Sequence, residues 1–288
     1  MIRTMAPAKI NWTLEVLGKR PDGYHEIRSV MQTIDLCDEV QVERARENSL
    51  EVSGDYVPGE DDLALQAARL VTEATGGELH FAVRLTKRVP LAAGLGGGSS
   101  DAAAVLRAVD RLCGTADFDP KGEIRGLGSD APFFLRGGTA LASGRGEVIE
   151  PGRDVSEMWL VVLVPGYSVR EKTRLMYARI KPGSFTDGRR SGALFRLIEH
   201  RQPIDESLLF NAFDGVAGLV FTGIDAHRRA FESAAGKRVH LAGAGPALFS
   251  VHSSRAEAEG AAARLGSEHG RVFVARTLGA AEATRILD

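Results

Sequence analysis

Residues 90–100 read PLAAGLGGGSS, between a strand-like pattern and a helix-like one. Upstream, Phe81, Val83 and Leu85 alternate with other residues at the period of two that marks a strand. Downstream, Ala102, Ala103, Val105, Leu106 and Val109 recur at helical spacing as far as Leu112. Gly94, Gly96, Gly97 and Gly98 leave the backbone free to approach a ligand and to aim successive N–H groups at it. With the positive end of the following helix, such a turn forms a cradle for phosphate. The helix end alone contributes about 0.3–1 kcal/mol per exposed charge, so several N–H donors are required. Two other phosphate motifs are excluded by counting. A Walker loop needs lysine ahead of the hydroxyl residue, where this chain has Gly98 before Ser99 and Ser100. A dinucleotide fingerprint needs glycine where Ser99 stands. The competing structural reading is a turn whose serines cap the helix.

Working outward, Ile10, Trp12, Leu14 and Val16 alternate with polar residues as in a half-buried strand, and Pro21-Asp22-Gly23 reads as a turn. Val40/Val42 and Leu50/Val52 suggest two short strands, and Asp61-Asp62 an acidic start for a helix through Leu63, Ala67, Leu70 and Val71. Gly137-Gly138 precedes a strand at Thr139–Ala142, and the apolar run Met158–Val164 reads as a fully buried strand. The Pro151-Gly152-Arg153-Asp154 stretch places a domain boundary between 1–154 and 155–288. Residues 181–190 read as a mobile polar loop. Strands follow at Val239–Ala242 and Leu248–Val251 around a glycine turn. Ser254 with Glu257 then forms a capping box for a helix to Leu265, and Val272–Ala275 reads as the last strand.

The chain has 288 residues, of which 44% are hydrophobic and 26% charged, the make-up of a globular protein with a real core. Its formal charge of −2 argues against wrapping nucleic acid and gives no reason to expect an anionic membrane surface. Two cysteines, Cys37 and Cys113, make no disulfide framework and read as reduced thiols of a cytoplasmic protein. No secretory pattern opens the chain, and no apolar run approaches the ~20 residues that span a bilayer. Glycine stands out, at 33 residues where about 7% of a chain is usual.

PLAAGLGGGSSDAA at 90–103 resembles the central motif of the GHMP kinases. APAKIN at 6–11 resembles their first motif and LAGAGPALF at 241–249 their third. Within that superfamily, residues 6–35 and 129–147 are similar to the 4-diphosphocytidyl-2-C-methyl-D-erythritol kinase family, with DGYHE at 22–26 the most specific segment. The resemblance implies an α+β fold in two domains. The N-terminal domain would carry a left-handed βαβ unit, against the usual handedness, and the C-terminal domain would be ferredoxin-like α/β. It also implies ATP-dependent phosphorylation of the 2-hydroxyl of a cytidine-diphosphate-linked methylerythritol, on the non-mevalonate route to isoprenoids. ATP is then the co-substrate, with Mg²⁺ beside it, in a monomer or homodimer.

The same resemblance assigns residues. Asp130 corresponds to the carboxylate that accepts the hydroxyl proton, and Lys9 to the cation beside it; without the family, each reads as an ordinary cap residue or strand lysine. Lys9 and Asn11, two apart on a strand, share a face. Asn11, Tyr24, His25, Thr173 and Tyr177 fall at substrate-contacting positions, Tyr24 and Tyr177 on either side of the cytosine and His25 on its edge. Lys87, Pro90, Leu91, Ala92, Ala93, Gly94, Leu95, Gly96, Gly97, Gly98, Ser99 and Ser100 fall around ATP, with Gly243 and Gly245 from the third motif and Ser100 as a Mg²⁺ ligand. Two positions depart from the family: Asp62 where Asn is common, and Ala244 where Ser is usual. A homoserine- or mevalonate-type kinase, and a silent nucleotide-binding homologue, stay open as alternatives; a nicotinamide-dependent oxidoreductase is remote.

Overall fold

A computed structural model of the chain describes residues 1–54, 59, 62–114 and 124–287. Strands β1 (Ile2–Lys19) and β2 (His25–Ala45) form a long antiparallel ribbon closed by the Arg20–Tyr24 turn. β1 is longer than its alternating core suggested, and both of its faces are buried. Helix Arg189–Glu199 covers the polar face: Ser191 donates from its N–H and its Oγ to Glu15, and Thr13 donates to Ser191 Oγ. Period-two patterning therefore identified the strand, while the polar residues took protein partners instead of water.

Beyond β2 come β3 (Ser49–Ser53), helix α1 (Leu63–Ala74) and β4 (His80–Thr86), with β3 and β4 parallel in a βαβ unit. Asp62 caps α1, accepting from Ala64 N–H at 2.9 Å; the expected Asp61 contribution lies outside the described residues. Helix α2 (Gly97–Cys113) packs its alanine face and Val105, Leu106 and Val109 into the core with α1 and β4. A short helix α3 (Ala131–Phe134) follows, then β5 (Thr139–Gly144) and β6 (Val148–Pro151). The first sheet runs β3-β4-β2-β1-β8, with β5 and β6 extending from β2; β8 (Phe210–Asn211) is a parallel addition to β1 from far along the chain.

The second sheet is antiparallel, in the order β11-β7-β10-β9. Its strands are β7 (Trp159–Val164), β9 (His240–Leu241), β10 (Leu248–His252) and β11 (Arg271–Arg276). Helices α4 (Lys172–Arg179), α5 (Arg189–Glu199) and α6 (Ile224–Ala235) separate β7 from β9, and α7 (Arg255–Leu265) separates β10 from β11. In sequence order this is a 4-1-3-2 sheet, the ferredoxin-like arrangement. Residues 152–158, between β6 and β7, have no regular structure.

Two local readings change. The α7 cap is half a capping box: Ser254 Oγ accepts from Glu257 N–H, but Glu257 reaches back to the N–H and Oγ of Ser253 instead of Ser254. The 181–190 loop is docked on the ribbon. Thr186 N–H donates to Val16 O at 2.9 Å, and Phe185 lies edge-on to His25.

Candidate active site

The glycine turn, β1, the α3 approach and α4 converge on a cleft of about 1100 Å³. The turn works by two separate physical effects. Gly94, at φ +90°, packs backbone to backbone on the second glycine turn: a Cβ there would meet Ala242 O at 2.3 Å and Gly245 N at 2.9 Å. Ala247 N–H donates to Ala93 O across the same seam, and Lys9 N–H to Leu95 O. Gly96, at φ +76°, is the cap residue of α2 and lies against Phe134 and the Lys9 stem. From Gly97 onward the chain is already helical, so the first turn of α2 presents N–H groups and the positive helix end to the cleft. The serines are not caps: Gly96 is, with no side-chain cap bond.

That early helix start corrects one assignment. Ser99 lines the cleft, but Ser100 is fully buried, its N–H donates to Gly96 O, and its Oγ has no partner. One helical step of about 100° separates their directions, so the Mg²⁺ role expected of Ser100 has no access to the cleft. Gly245 is likewise not on the cleft wall. It braces Gly94 from behind, and its carbonyl accepts from Lys172 Nζ at 2.5 Å. Gly243 does reach the cleft.

Lys87 reaches the cleft wall with its ammonium already held, 2.5 Å from Asp38 and 2.6 Å from Asp101. Asp38 also accepts from the N–H groups of Arg88 and Val89, fixing the strand-to-turn passage. Burial and the facing Asp38 carboxylate push Asp101 well above the usual carboxylate range, against the pull of Lys87. The cluster sets two carboxyls against one ammonium. Lys87 thus lines the cleft with its ammonium already engaged by two buried carboxyls.

Lys9 differs. Its Nζ donates to Asn11 Oδ1 at 2.8 Å and lies 3.4 Å from Asp130. Asn11 Nδ2 donates to Ser29 Oγ, which donates to Thr13 O, so a chain of three buried polar groups fixes the lysine head. Asp130 sits immediately before α3, its side chain about one-third exposed. Asn11 lines the cleft, and its amide is engaged in orienting Lys9.

At the other end, the His25 ring stacks on Tyr177 with centroids 5.0 Å apart and planes 18° from parallel. Burial, then the Lys19 charge, lowers His25, which leaves a neutral imidazole able to donate at one nitrogen and accept at the other. Burial, then Asp130, raises Tyr177, so its phenol stays protonated. Tyr24 also lines the cleft, exposed, with the Arg145 guanidinium 4.6 Å over its ring. Thr173 and Tyr177 share one face of α4 and both line the cleft. Pro90, Leu91, Ala92, Ala93, Gly94, Leu95, Gly96, Gly97 and Gly98 line it as well.

Three contributors escaped the sequence reading. Arg145 and Lys172 line the cleft, and both lie beside residues that were singled out. Arg107, partly buried in α2, donates to Phe134 O at 2.6 Å and Met5 O at 2.7 Å, tying α3 to β1. Its signal was an arginine on the apolar face of a helix.

Comparison with known proteins agrees with this architecture. Residues 62–138 match the family described as GHMP kinases N terminal domain. A 4-diphosphocytidyl-2-C-methyl-D-erythritol kinase of Dehalococcoides mccartyi strain CBDB1 is 38% identical over 284 residues, covering 97% of this chain and 99% of the relative. The enzyme of that name from Pelotomaculum thermopropionicum is also 38% identical, over 96% of this chain and 98% of its own. A crystal structure of 4-(cytidine 5'-diphospho)-2C-methyl-D-erythritol kinase superposes with TM-score 0.82 at 34% identity, covering 96% of this chain and 99% of that one. Homoserine kinase from Cytophaga hutchinsonii shares the fold, with TM-score 0.71 at 15% identity. The chain belongs to the 4-diphosphocytidyl-2-C-methyl-D-erythritol kinase family of the GHMP kinases.

Proposed function

We propose that this protein transfers the γ-phosphoryl group of ATP to the 2-hydroxyl of 4-(cytidine 5'-diphospho)-2-C-methyl-D-erythritol. The observation that carries the reading is the Lys9–Asp130 pair, 3.4 Å apart, in a cleft bounded by the helical glycine turn and the His25–Tyr177 stack. In the transfer, Asp130 accepts the hydroxyl proton, the hydroxyl oxygen forms a bond to the γ-phosphorus, and the bond to the β-γ bridging oxygen breaks to release ADP. Lys9, held by Asn11, favours the deprotonating hydroxyl and offsets charge on the transferring group. The N–H groups at the start of α2 hold the phosphates. The cleft also selects the acceptor: His25 presents both a donor and an acceptor to a pyrimidine edge, and Tyr177 and Tyr24 supply aromatic surface near it.

Mg²⁺ bound with ATP supplies charge neutralisation at the β- and γ-phosphates. Among the described residues no three His, Cys, Asp or Glu form a metal cage. The donors present, Asp130 and the Ser99 hydroxyl on the cleft wall, fit a cation held mostly by phosphate and water oxygens. The division into domains 1–154 and 155–288 and a cytoplasmic location belong to the same proposal. No helix among the described residues is long and apolar enough to cross a membrane.

The test is ADP release with MgATP and each of three alcohols: the cytidylyl methylerythritol, mevalonate and homoserine. The cytidylyl alcohol is expected to give the highest kcat/KM by orders of magnitude. A preference for either small alcohol rejects the substrate, and no turnover with any of them favours a silent nucleotide-binding homologue.

A further inference from the structure

Lys9 and Lys87 each meet a carboxylate. Among the described residues Lys172 meets none within 4.0 Å; its Nζ donates to the neutral Gly245 carbonyl at 2.5 Å. A partly buried ammonium with a neutral partner is costly. Its position adds to the cost, because Lys172 opens α4, the end where the helix dipole disfavours a cation. Fold stability gives no reason for a lysine here. Burial, and after it the charge on Lys9, lowers the Lys172 ammonium to about 8, with Asp130 acting in the opposite direction. The neighbourhood of the proposed chemistry therefore holds two ammoniums, Lys9 and Lys172, against one carboxylate, Asp130. A group whose negative charge spreads over several oxygens during transfer is the chemistry that offsets such an excess.

Resting on the kinase reading above, we propose that Lys172 is a second cation of the reaction centre, binding the oxygens of the phosphoryl group as it passes from ATP to the acceptor hydroxyl. Lys172 gives up no proton in this step; its ammonium lowers the barrier by charge alone. The Gly245 carbonyl holds it in place before the nucleotide binds, which gives the second glycine turn a role apart from direct contact with phosphate. Around the ammonium, β1 contributes Lys9 and the α3 approach contributes Asp130, while the 243–245 turn contributes backbone only. On its own helix, Tyr177 stays protonated. In the ligand-free protein the charge is present below pH of about 8 and lost above it. The quantity kcat/KM, which reports the free enzyme, accordingly falls as pH rises through that region.

The experiment compares wild type, Lys172→Met and Lys172→Arg, with kcat and KM for MgATP and for the alcohol measured across neutral and alkaline pH. Lys172→Met is expected to lower kcat on the order of 10²-fold, change KM little and lose the alkaline descent. Lys172→Arg, whose guanidinium stays charged, is expected to recover most of the rate and move the descent to higher pH. Near-wild-type kcat in Lys172→Met overturns the proposal, as does an alkaline descent that persists in that variant. A nitrogen-15 NMR titration of the Lys172 ammonium gives a readout independent of the acceptor. Its midpoint is expected to rise when MgATP is added, and an unmoved midpoint overturns the proposal. Absence of product from wild type with the cytidylyl alcohol rejects the substrate reading by itself, and the titration with MgATP still decides the role of Lys172.

Discussion

Two clusters of lysine and aspartate flank the same glycine turn, and they are built in opposite ways. In one, the Lys87 ammonium is enclosed between Asp38 and Asp101, with all three side chains at most 5% exposed. Asp38 spends its other oxygen on two backbone N–H groups. In the other, Lys9 is just as enclosed, but its carboxylate partner Asp130 is one-third open to the cleft. The closed cluster engages its ammonium internally and sets the shape of the turn. The open one keeps a carboxylate where a substrate hydroxyl can reach it. A lysine beside a phosphate-type turn is thus no sign of a ligand-binding cation until its partners are known.

The largest effect expected from breaking this contrast is at Asp130. Asp130→Asn should lower kcat by on the order of 10²–10⁴-fold and leave the thermal melting temperature near wild type, since the residue is solvent-reachable and caps nothing with its side chain. Lys87→Met should do the reverse. Removing the cation leaves two buried carboxyls facing each other, a loss of about 3–5 kcal/mol visible as a lower urea midpoint, with kcat of the folded fraction much less affected than in Asp130→Asn.

Within the turn, Gly94→Ala should destabilise by about 1–3 kcal/mol. It combines positive φ with a Cβ pressed onto Ala242 O, where no flexible side chain can yield. Gly98→Ala meets only Leu63 Cδ1 at 3.5 Å and should fold normally, raising KM for ATP if the cleft face of α2 holds phosphate.

The smallest effect separates the two acids of the closed cluster. Asp101→Asn keeps the side chain's shape and removes a buried carboxyl whose titration is pushed upward by burial, so its effect on stability should depend on pH. The sign with pH follows from the raised carboxyl of Asp101. Its contribution is fully present below the unfolded carboxylate range and lost as pH rises through the folded value. Asp101→Asn should therefore gain on wild type as pH increases, measured by urea unfolding at several pH values. Asp38→Asn, which disturbs two backbone contacts as well, should cost more than Asp101→Asn at every pH.

Local pattern carried much of this molecule. The strands around Phe81, Met158–Val164 and Val272 follow from periodicity, and the Asp62 cap and the turn at 21–23 from turn chemistry. The glycine turn announced itself by composition, and APAKIN and SDAPFF placed Lys9 and Asp130 in one cleft although 121 positions separate them. What local pattern does not contain is pairing over distance. Nothing near Lys87 shows that Asp38, from the middle of β2, encloses its ammonium. Ser100 was misread because the helix begins at Gly97, ahead of the alanine run, and that turns its hydroxyl inward. Gly245 was misread for a related reason. Glycine signals close approach to something, and here that something is the Gly94 backbone instead of a phosphate. Lys172 and Arg145 carry no pattern of their own; only the cleft shows where they point.

The most direct test of the central claim is phosphorus NMR of the product formed from MgATP and 4-(cytidine 5'-diphospho)-2-C-methyl-D-erythritol. The account predicts one new phosphate monoester resonance coupled to the 2-position, an intact cytidine diphosphate, and one ADP per product, with the new signal lost in Asp130→Asn. ADP and free phosphate without a new ester, or a phosphate on any other hydroxyl, would contradict it.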